Sequence, residues 1–471
     1  MNSQLIPLVT HDSPDSVIAW RDDGAVSLRQ FLADVKLLTT LLPSSQHILN
    51  TCSNRYHFSV GLAAAIVTGK VSLLPSANTP EMVYQLKAFA PEVFCLTDND
   101  ACLLDIPRLR YPTMPPVVNN SDNLSIPQIS SSQLIAIVFT SGSTGTPLPH
   151  PKAWGALVHC VQAEVLSLGL LNNSSACTLV GTVPPQHMYG FESTVLLAWQ
   201  SGNALSHAHP FYPADICQAL ALVPSPRVLV SSPVHLRALL ESELAIPKLT
   251  CVVSATAPLS AQLALDIEAR CGAPLIEVYG STETGQIATR RPSQTSEWQL
   301  FPEIKLVKKN ERIYATGGHI PSPTPMSDSI EFLSDNRFLL HGRLADMVNI
   351  AGKRHSLTSL NHLLNAIPGV IDGAFYMPHE GDSARITRLA ACVVAPELNP
   401  TKLLAALREY IDPIFLPRPL LFLDALPRNS TGKLPHAALV ALFNQARSHG
   451  NTYETNQIPE LKLTHKTRKS A

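Results

Sequence analysis

Short apolar runs rich in branched residues alternate with amphipathic stretches through most of the chain. "LIAIVF" (Leu134 to Phe139) is followed by "AWGALVHCVQAEVLSLGL" (Ala153 to Leu170), where Leu157, Val158, Val161, Val165 and Leu166 recur at helical spacing. "VLVSS" leads into "PVHLRALLESEL", and "LTCVVSA" into "LSAQLALDIEARCG", which is followed by the further strand "LIEVYG". This β-then-α rhythm predicts a layered α/β architecture. The rhythm breaks between Ile313 and Asp328, "IYATGGHIPSPTPMSD", where the prolines predict a loop or the approach to a boundary. A smaller unit follows, from about Leu344 to Gly450, with short strands ("GAFYM", "LAACVVA", "PLLFL") and a helix, "PTKLLAALREYI". No repeat of fixed period is visible.

Composition narrows the class. A length of 471 residues calls for two or three domains. With 45% apolar and 15% charged residues and 39 prolines, the chain reads as globular and loop-rich. A formal net charge of −1 gives no global field to attract nucleic acid or an anionic membrane. No apolar run reaches the length of a membrane span, and "MNSQLIPLVTHDSPDS" does not read as a secretory signal. Nine scattered cysteines without a C-x-x-C pair predict a reducing, cytoplasmic setting with cysteines used as small core residues. His207 and His209 in "SHAHP" have no partner ligand nearby and predict an exposed loop rather than a metal site.

Candidate chemistry begins at "FTSGSTGTPLPHPK" (Phe139 to Lys152). A strand that ends in a Gly/Ser/Thr turn and enters a helix can bind phosphate through inward-facing N–H groups, hydroxyl donors and the helix N-terminus. No Lys-Ser or Lys-Thr follows Gly145 at the spacing of the common nucleotide loop, and alone the stretch reads equally well as a polar surface turn. Three further segments follow in order: "VYGSTETG" (Val278 to Gly285), "GRLADMVNIAGKR" (Gly342 to Arg354) and "LPRNSTGK" (Leu426 to Lys433). Together the four resemble the signature set of the adenylate-forming superfamily: acyl-CoA and aryl-CoA synthetases, luciferases and peptide-synthetase adenylation domains. The resemblance runs from about Val60 to the end of the small unit.

The resemblance implies an α/β fold with a large multi-subdomain N-terminal AMP-binding domain of layered sheets and helices (1–341). A small, mobile α+β C-terminal domain (342–450) and a polar tail (451–471) would follow. It also implies ATP-dependent activation of a carboxylic acid to an acyl-adenylate, with Mg²⁺, and then transfer to a thiol. In these terms Thr140, Ser141, Gly142, Ser143, Thr144 and Gly145 match the triphosphate loop. Tyr279 would stack on adenine, Gly280 and Ser281 would line the acyl site, Thr282 would contact the α-phosphate and Glu283 would hold Mg²⁺. Ala257, in "SATAPL", would lie along the adenine. Asp328 and Arg343 would face the ribose. Arg354 matches an arginine near the phosphates, or is a surface arginine. Lys433 would bridge the substrate carboxylate and the α-phosphate.

The sequence departs from the pattern in three places. Leu148 stands where the loop usually carries lysine, which leaves Lys152 as the candidate for the displaced role. Ala345 stands at the usual pivot between domains. Ala255 and Thr256 replace the glycines of "S-G-G-A-P-L". In "VPPQHMYGFEST" the resemblance puts His187 at the wall of the acyl pocket. No aspartate stands there to meet an α-amine, and Glu192 is displaced from that place, which argues against amino acids and for an aromatic or medium acyl acid. The altered loop, with Pro149, Lys152 and Trp154, also resembles ligases of aryl-polyene pigment synthesis, which load an aryl acid onto a carrier protein. CoA and the phosphopantetheine of a discrete acyl carrier protein therefore stand as rival acceptors. The alternatives are an amino-acid-activating enzyme and a non-catalytic adenylate or acyl-ligand binding protein.

Overall fold

The computed structural model describes residues 4–75, 78–102, 104–115, 125–140, 148–170, 176–310, 312–343, 347–350, 353–377, 389–428, 434–435 and 438–443. The chain divides into two compact units, with the change between Leu340 and His341. The large unit is a mixed α/β body built on two extended sheets. In one, the strand order from one edge is Leu148–Ala153, Leu134–Thr140, Val71–Leu74, His47–Asn50, Phe94–Thr97, Arg108–Arg110. All neighbours are parallel except the outermost hairpin, where Leu134–Thr140 pairs antiparallel with Leu148–Ala153.

Among the described residues the second sheet has eleven strands. Its centre is a parallel run, Val17–Arg21, Ala204–Ser206, Thr178–Gly181, Arg227–Ser231, Cys251–Ser254, Leu275–Ser281. The direction then reverses at Gly285–Arg290. The central strands are buried on both faces, so they read as continuous apolar runs rather than alternating ones.

The β-then-α expectation holds where helices follow their strands: Pro233–Glu241 after Arg227–Ser231, and Ala261–Cys271 after Cys251–Ser254. Pro233 occupies the first turn of its helix, where its missing N–H has no partner to lose. The stretch 313–328 differs from the loop expected. Arg312–Gly317 and Ile320–Pro325 form a hairpin that turns at Gly317 and Gly318, both at positive φ. Ile320–Pro325 is an edge strand, so Pro321, Pro323 and Pro325 forgo no ladder bond on the open side.

In the small unit, strands Asp372–Tyr376, Ala390–Val394 and Leu420–Phe422 form one sheet, and helix Pro400–Arg408 covers part of its core through Leu403 and Leu407. The sequence reading passed over the hairpin Met347–Ile350/Lys353–Ser356 and the helix Leu357–Asn365. Among the described residues no helix is long and apolar enough to cross a membrane.

Candidate active site

The site is assembled at the tip of one strand pair. Leu275–Ser281 and Gly285–Arg290 are joined by a three-residue turn, Thr282 to Thr284, with Ser281 opposite Gly285. The turn is locked by reciprocal bonds: the Ser281 N–H donates to Thr284 Oγ1 and the Thr284 N–H to Ser281 Oγ, each at 3.2 Å. Short hydroxyl side chains compete well for backbone groups in such turns. Gly285 supplies the left-handed residue, φ 69°. Gly280 is required by close approach, since a Cβ there would lie 2.3 Å from the Gly285 carbonyl oxygen. These local bonds occupy Ser281 and Thr284 and leave the side chains of Thr282 and Glu283 at the tip, Glu283 being exposed.

The turn is met by the Leu148–Ala153 strand. Side chains two apart on a strand share a face, so "PHPK" presents His150 and Lys152 together. His150 Nε2 lies 2.9 Å from Thr140 Oγ1 and 3.7 Å from Glu283 Oε1. Lys152 Nζ donates to the Thr282 carbonyl. Pro149 and Pro151 fall on the alternate positions of this edge strand. The phosphate-loop expectation changes here. Between residues 141–147 and the helix Trp154–Ser167 stands a whole strand, so the helix N-terminus does not follow the loop directly, and its partial charge is not available in the manner expected. Ser141, Gly142, Ser143, Thr144 and Gly145 lie outside the described residues, as do Ala345 and Lys433.

On the other side of the turn, Tyr279 and Asp328 come together: the tyrosine hydroxyl donates to Asp328 Oδ2 at 2.5 Å. The Tyr279 ring is held against Trp298 and Phe338, with centroids 5.4 and 5.9 Å away. Ala257 follows Thr256 in the segment after strand Cys251–Ser254, and Thr256 adopts φ 81° where glycine would be expected. Arg343 is the last residue of strand Arg337–Arg343, and Arg354 lies in strand Lys353–Ser356 of the small unit.

His187 begins the short helix Met188–Gly190, its N–H bonded to the Pro184 carbonyl at 3.1 Å. A Cβ on Gly190 would lie 2.1 Å from that same carbonyl oxygen, which accounts for the glycine of "HMYG". Val230 and Ser231 end a buried strand. Nearby, Thr182 Oγ1 lies 2.9 Å from Ser231 Oγ. Arg55 is fully buried and donates to Thr194 and to the Gly181 and Val183 carbonyls, fixing the loop that carries His187. Burial lowers its guanidinium to about 9.

Beneath the turn lies a buried polar group that the sequence reading did not connect with it. Glu192 accepts from the Cys160 thiol at 3.5 Å, and burial raises its carboxyl to about 7, with Lys152 opposing the rise. Lys152 itself is lowered by burial, and Glu192 and Glu283 favour its charged form. His319 Nε2 sits 2.9 Å from the Thr284 carbonyl, and burial lowers its ring to about 4, so the neutral ring donates. Burial also lowers His150 below the usual histidine range. The period-2 spacing of His150 and Lys152 was the available signal for that pair. Glu192 and His319 are distant in sequence and gave none.

His207 and His209 are half-buried rather than exposed: His207 Nδ1 lies 3.1 Å from the Trp20 carbonyl oxygen and Nε2 3.2 Å from Asp22. All nine cysteines are free thiols.

The AMP-binding enzyme family profile matches residues 44–316, more than half of the chain. The 4-coumarate–CoA ligase of Rhodobacter capsulatus is 29% identical over 299 residues, covering 63% of this chain and 74% of that protein. The indoleacetate–CoA ligase of Aromatoleum aromaticum is 24% identical over 407 residues, covering 75% and 76%. In fold, the chain is similar to ATP-bound MatB from Rhodopseudomonas palustris, with TM-score 0.75 at 17% identity over 93% of this chain and 97% of that one. It is also similar to o-succinylbenzoate CoA synthetase (MenE) from Bacillus subtilis in complex with its acyl-adenylate, with TM-score 0.75 at 18% identity over 90% and 95%. With that profile matched over more than half of its length, the chain belongs to the AMP-binding enzyme family.

Proposed function

We propose that this protein is an AMP-forming acid–thiol ligase: it activates an aryl or medium acyl carboxylic acid with ATP and passes the acyl group to the thiol of CoA or of a carrier protein's phosphopantetheine. The observation that carries the reading is the convergence on one strand tip. Tyr279 and Asp328 meet on one side of the turn, Thr140, His150 and Lys152 on the other, and Thr282 and Glu283 lie between them.

In this reading the nucleotide's base lies along Tyr279 and the Ala257 segment, and Asp328 accepts the ribose hydroxyls, exchanging its Tyr279 bond for them or sharing it. A carboxylate accepting O–H bonds suits that task. Thr282 and Thr140 offer hydroxyls to phosphate oxygens. The oxygen groups at the tip are the Glu283 carboxylate and the Thr140 and Thr282 hydroxyls, with His150 Nε2 3.7 Å from the carboxylate. That fits Mg²⁺, which binds through one or two carboxylates plus substrate phosphates. Glu283 would hold it, and bound Mg²⁺ would offset the repulsion between the acid and the triphosphate. His187, Val230 and Ser231 are assigned to the acyl side. Lys433 is assigned to the carboxylate and α-phosphate, and Arg343 and Arg354 to the nucleotide. A neutral, partly apolar acyl side favours an aromatic acid, in keeping with the aryl substrates named for the relatives from R. capsulatus and A. aromaticum.

The test is a panel of aryl, medium-chain and amino acids with ATP and Mg²⁺, reading pyrophosphate release. The active acids are then incubated with CoA or with a carrier protein, and products are identified by mass. Release with an aryl or medium acyl acid and a thioester on one acceptor is the expected result. Activity with amino acids alone, or no release with any acid, would overturn the proposal.

A further inference from the structure

We infer that Lys152 is a positioning residue: its ammonium holds the Thr282 carbonyl and so sets the Ser281–Gly285 turn that carries Thr282 and Glu283, with the buried Glu192 carboxyl packed beneath the same turn. This rests on the proposed adenylation site and gives its displaced lysine a different task from direct contact with the distal phosphates.

Three observations carry it. The position where the phosphate loop would carry lysine is Leu148, whose side chain is exposed, at 54%. Lys152 lies four residues further along the strand, on the face shared with His150, and its amine already ends on the Thr282 carbonyl. The turn is gripped from below at a second carbonyl by His319, which takes that of Thr284. The groups below are packed closely. A Cβ on Gly285 would lie 3.2 Å from Cys160 Sγ, 3.2 Å from His319 Nε2 and 3.4 Å from Glu192 Oε1. With both carbonyls drawn inward, the outer side of the turn is left to the side chains of Thr282 and Glu283. Glu192 is 2% exposed, and Lys152 is the cation that favours its ionised form. A half-buried cation above a buried carboxyl is well suited to hold a backbone group in place, because it is partly shielded from the solvent that weakens surface interactions.

The experiment measures AMP affinity by calorimetry and thermal stability for wild type, Lys152→Met and the double variant Lys152→Met/Glu192→Gln. AMP is the probe because it lacks the β- and γ-phosphates. The expected result is a loss of AMP affinity of tenfold or more in Lys152→Met. Measured at pH 8, where Glu192 would otherwise tend to ionise without its cation, the double variant should regain melting temperature but not AMP affinity. If Lys152→Met folds poorly, the double variant carries the comparison. AMP affinity unchanged in Lys152→Met while the KM for ATP rises would mean direct contact with the distal phosphates and would overturn the proposal. Affinity returning together with melting temperature in the double variant would reduce Lys152 to packing and also overturn it. Wild type that fails to bind AMP would remove the underlying site assignment, an outcome distinct from a normal wild type with an unaffected variant.

Discussion

Thr256 shows how a single position carries the imprint of the fold. It takes φ 81°, a conformation that a β-branched residue adopts only under constraint. The sequence "SATAPL" replaces the two glycines of the pattern that it resembles, yet the backbone keeps the glycine-like turn at the second of them. Left-handed backbone costs an L-residue about 1–2 kcal/mol. Thr256→Gly is therefore expected to stabilise the protein by about 1 kcal/mol, part of that cost being offset by the greater unfolded-state entropy of glycine. The check is the midpoint of urea denaturation at constant slope, and a midpoint at or below wild type would show that the threonine side chain compensates for its own strain. At Gly280 and Gly190 the constraint is of another kind, close approach of neighbouring backbone, and no side chain can be added without moving it.

At the scale of elements, the helix Trp154–Ser167 departs from its simplest reading. Leu166 was expected on the apolar face, but it is exposed, and Glu164 is fully buried. The helical period explains this: at 3.6 residues per turn, Glu164 lies about 20° from Leu157 around the axis, and Leu166 about 180° away. Glu164 accepts from the Ser193 hydroxyl at 2.6 Å, and burial raises its carboxyl to about 8. A carboxyl whose folded pKa exceeds its unfolded value, near 4.5, contributes stability that is complete below about 4.5 and lost as pH rises to about 8. Glu164→Gln should remove that dependence. Its advantage over wild type is expected to grow by roughly 1.4 kcal/mol per pH unit at most across that window, read as urea midpoints at pH 5 and pH 8. Parallel curves at the two pH values would show that the carboxyl ionises normally. The two proline-rich stretches teach a related lesson. "LPHPKA" and "IPSPTP" look like loops, yet both are edge strands with proline at alternate positions. Proline there also blocks the open edge against further pairing.

At the scale of the molecule, the division between Leu340 and His341 puts the turn that carries Thr282 and Glu283 in the large unit, and the strand Leu420–Phe422, which precedes "LPRNSTGK" in sequence, in the small one. If adenylation and thioester formation use different residues, the lysine assigned to the carboxylate and α-phosphate acts in the first. Lys433→Ala is expected to lower adenylation by on the order of 10²–10³ or more, and to leave thioester formation from a preformed acyl-adenylate largely intact. Separate assays of pyrophosphate release and of acyl transfer make the comparison. Equal losses in both would count against separate use of that lysine.

The alternation of apolar runs and amphipathic helices and the four motifs in order were legible because each is local. Periodicity and short spacings survive in one dimension, and the family follows from them. What the linear chain could not disclose depends on strands meeting from distant positions. The strand between the phosphate loop and its helix was hidden by prolines that only an edge can accommodate. The bond from Tyr279 to Asp328 joins residues whose neighbours in sequence do not predict each other. Glu192 and His319 became partners of the Ser281–Gly285 turn only because the helix after "HMYG" and the hairpin near Gly318 pack beneath it. Sequence decided which chemical groups this protein carries. Tertiary packing, by excluding water and fixing neighbours, decided which of them are charged, which are held, and which face outward.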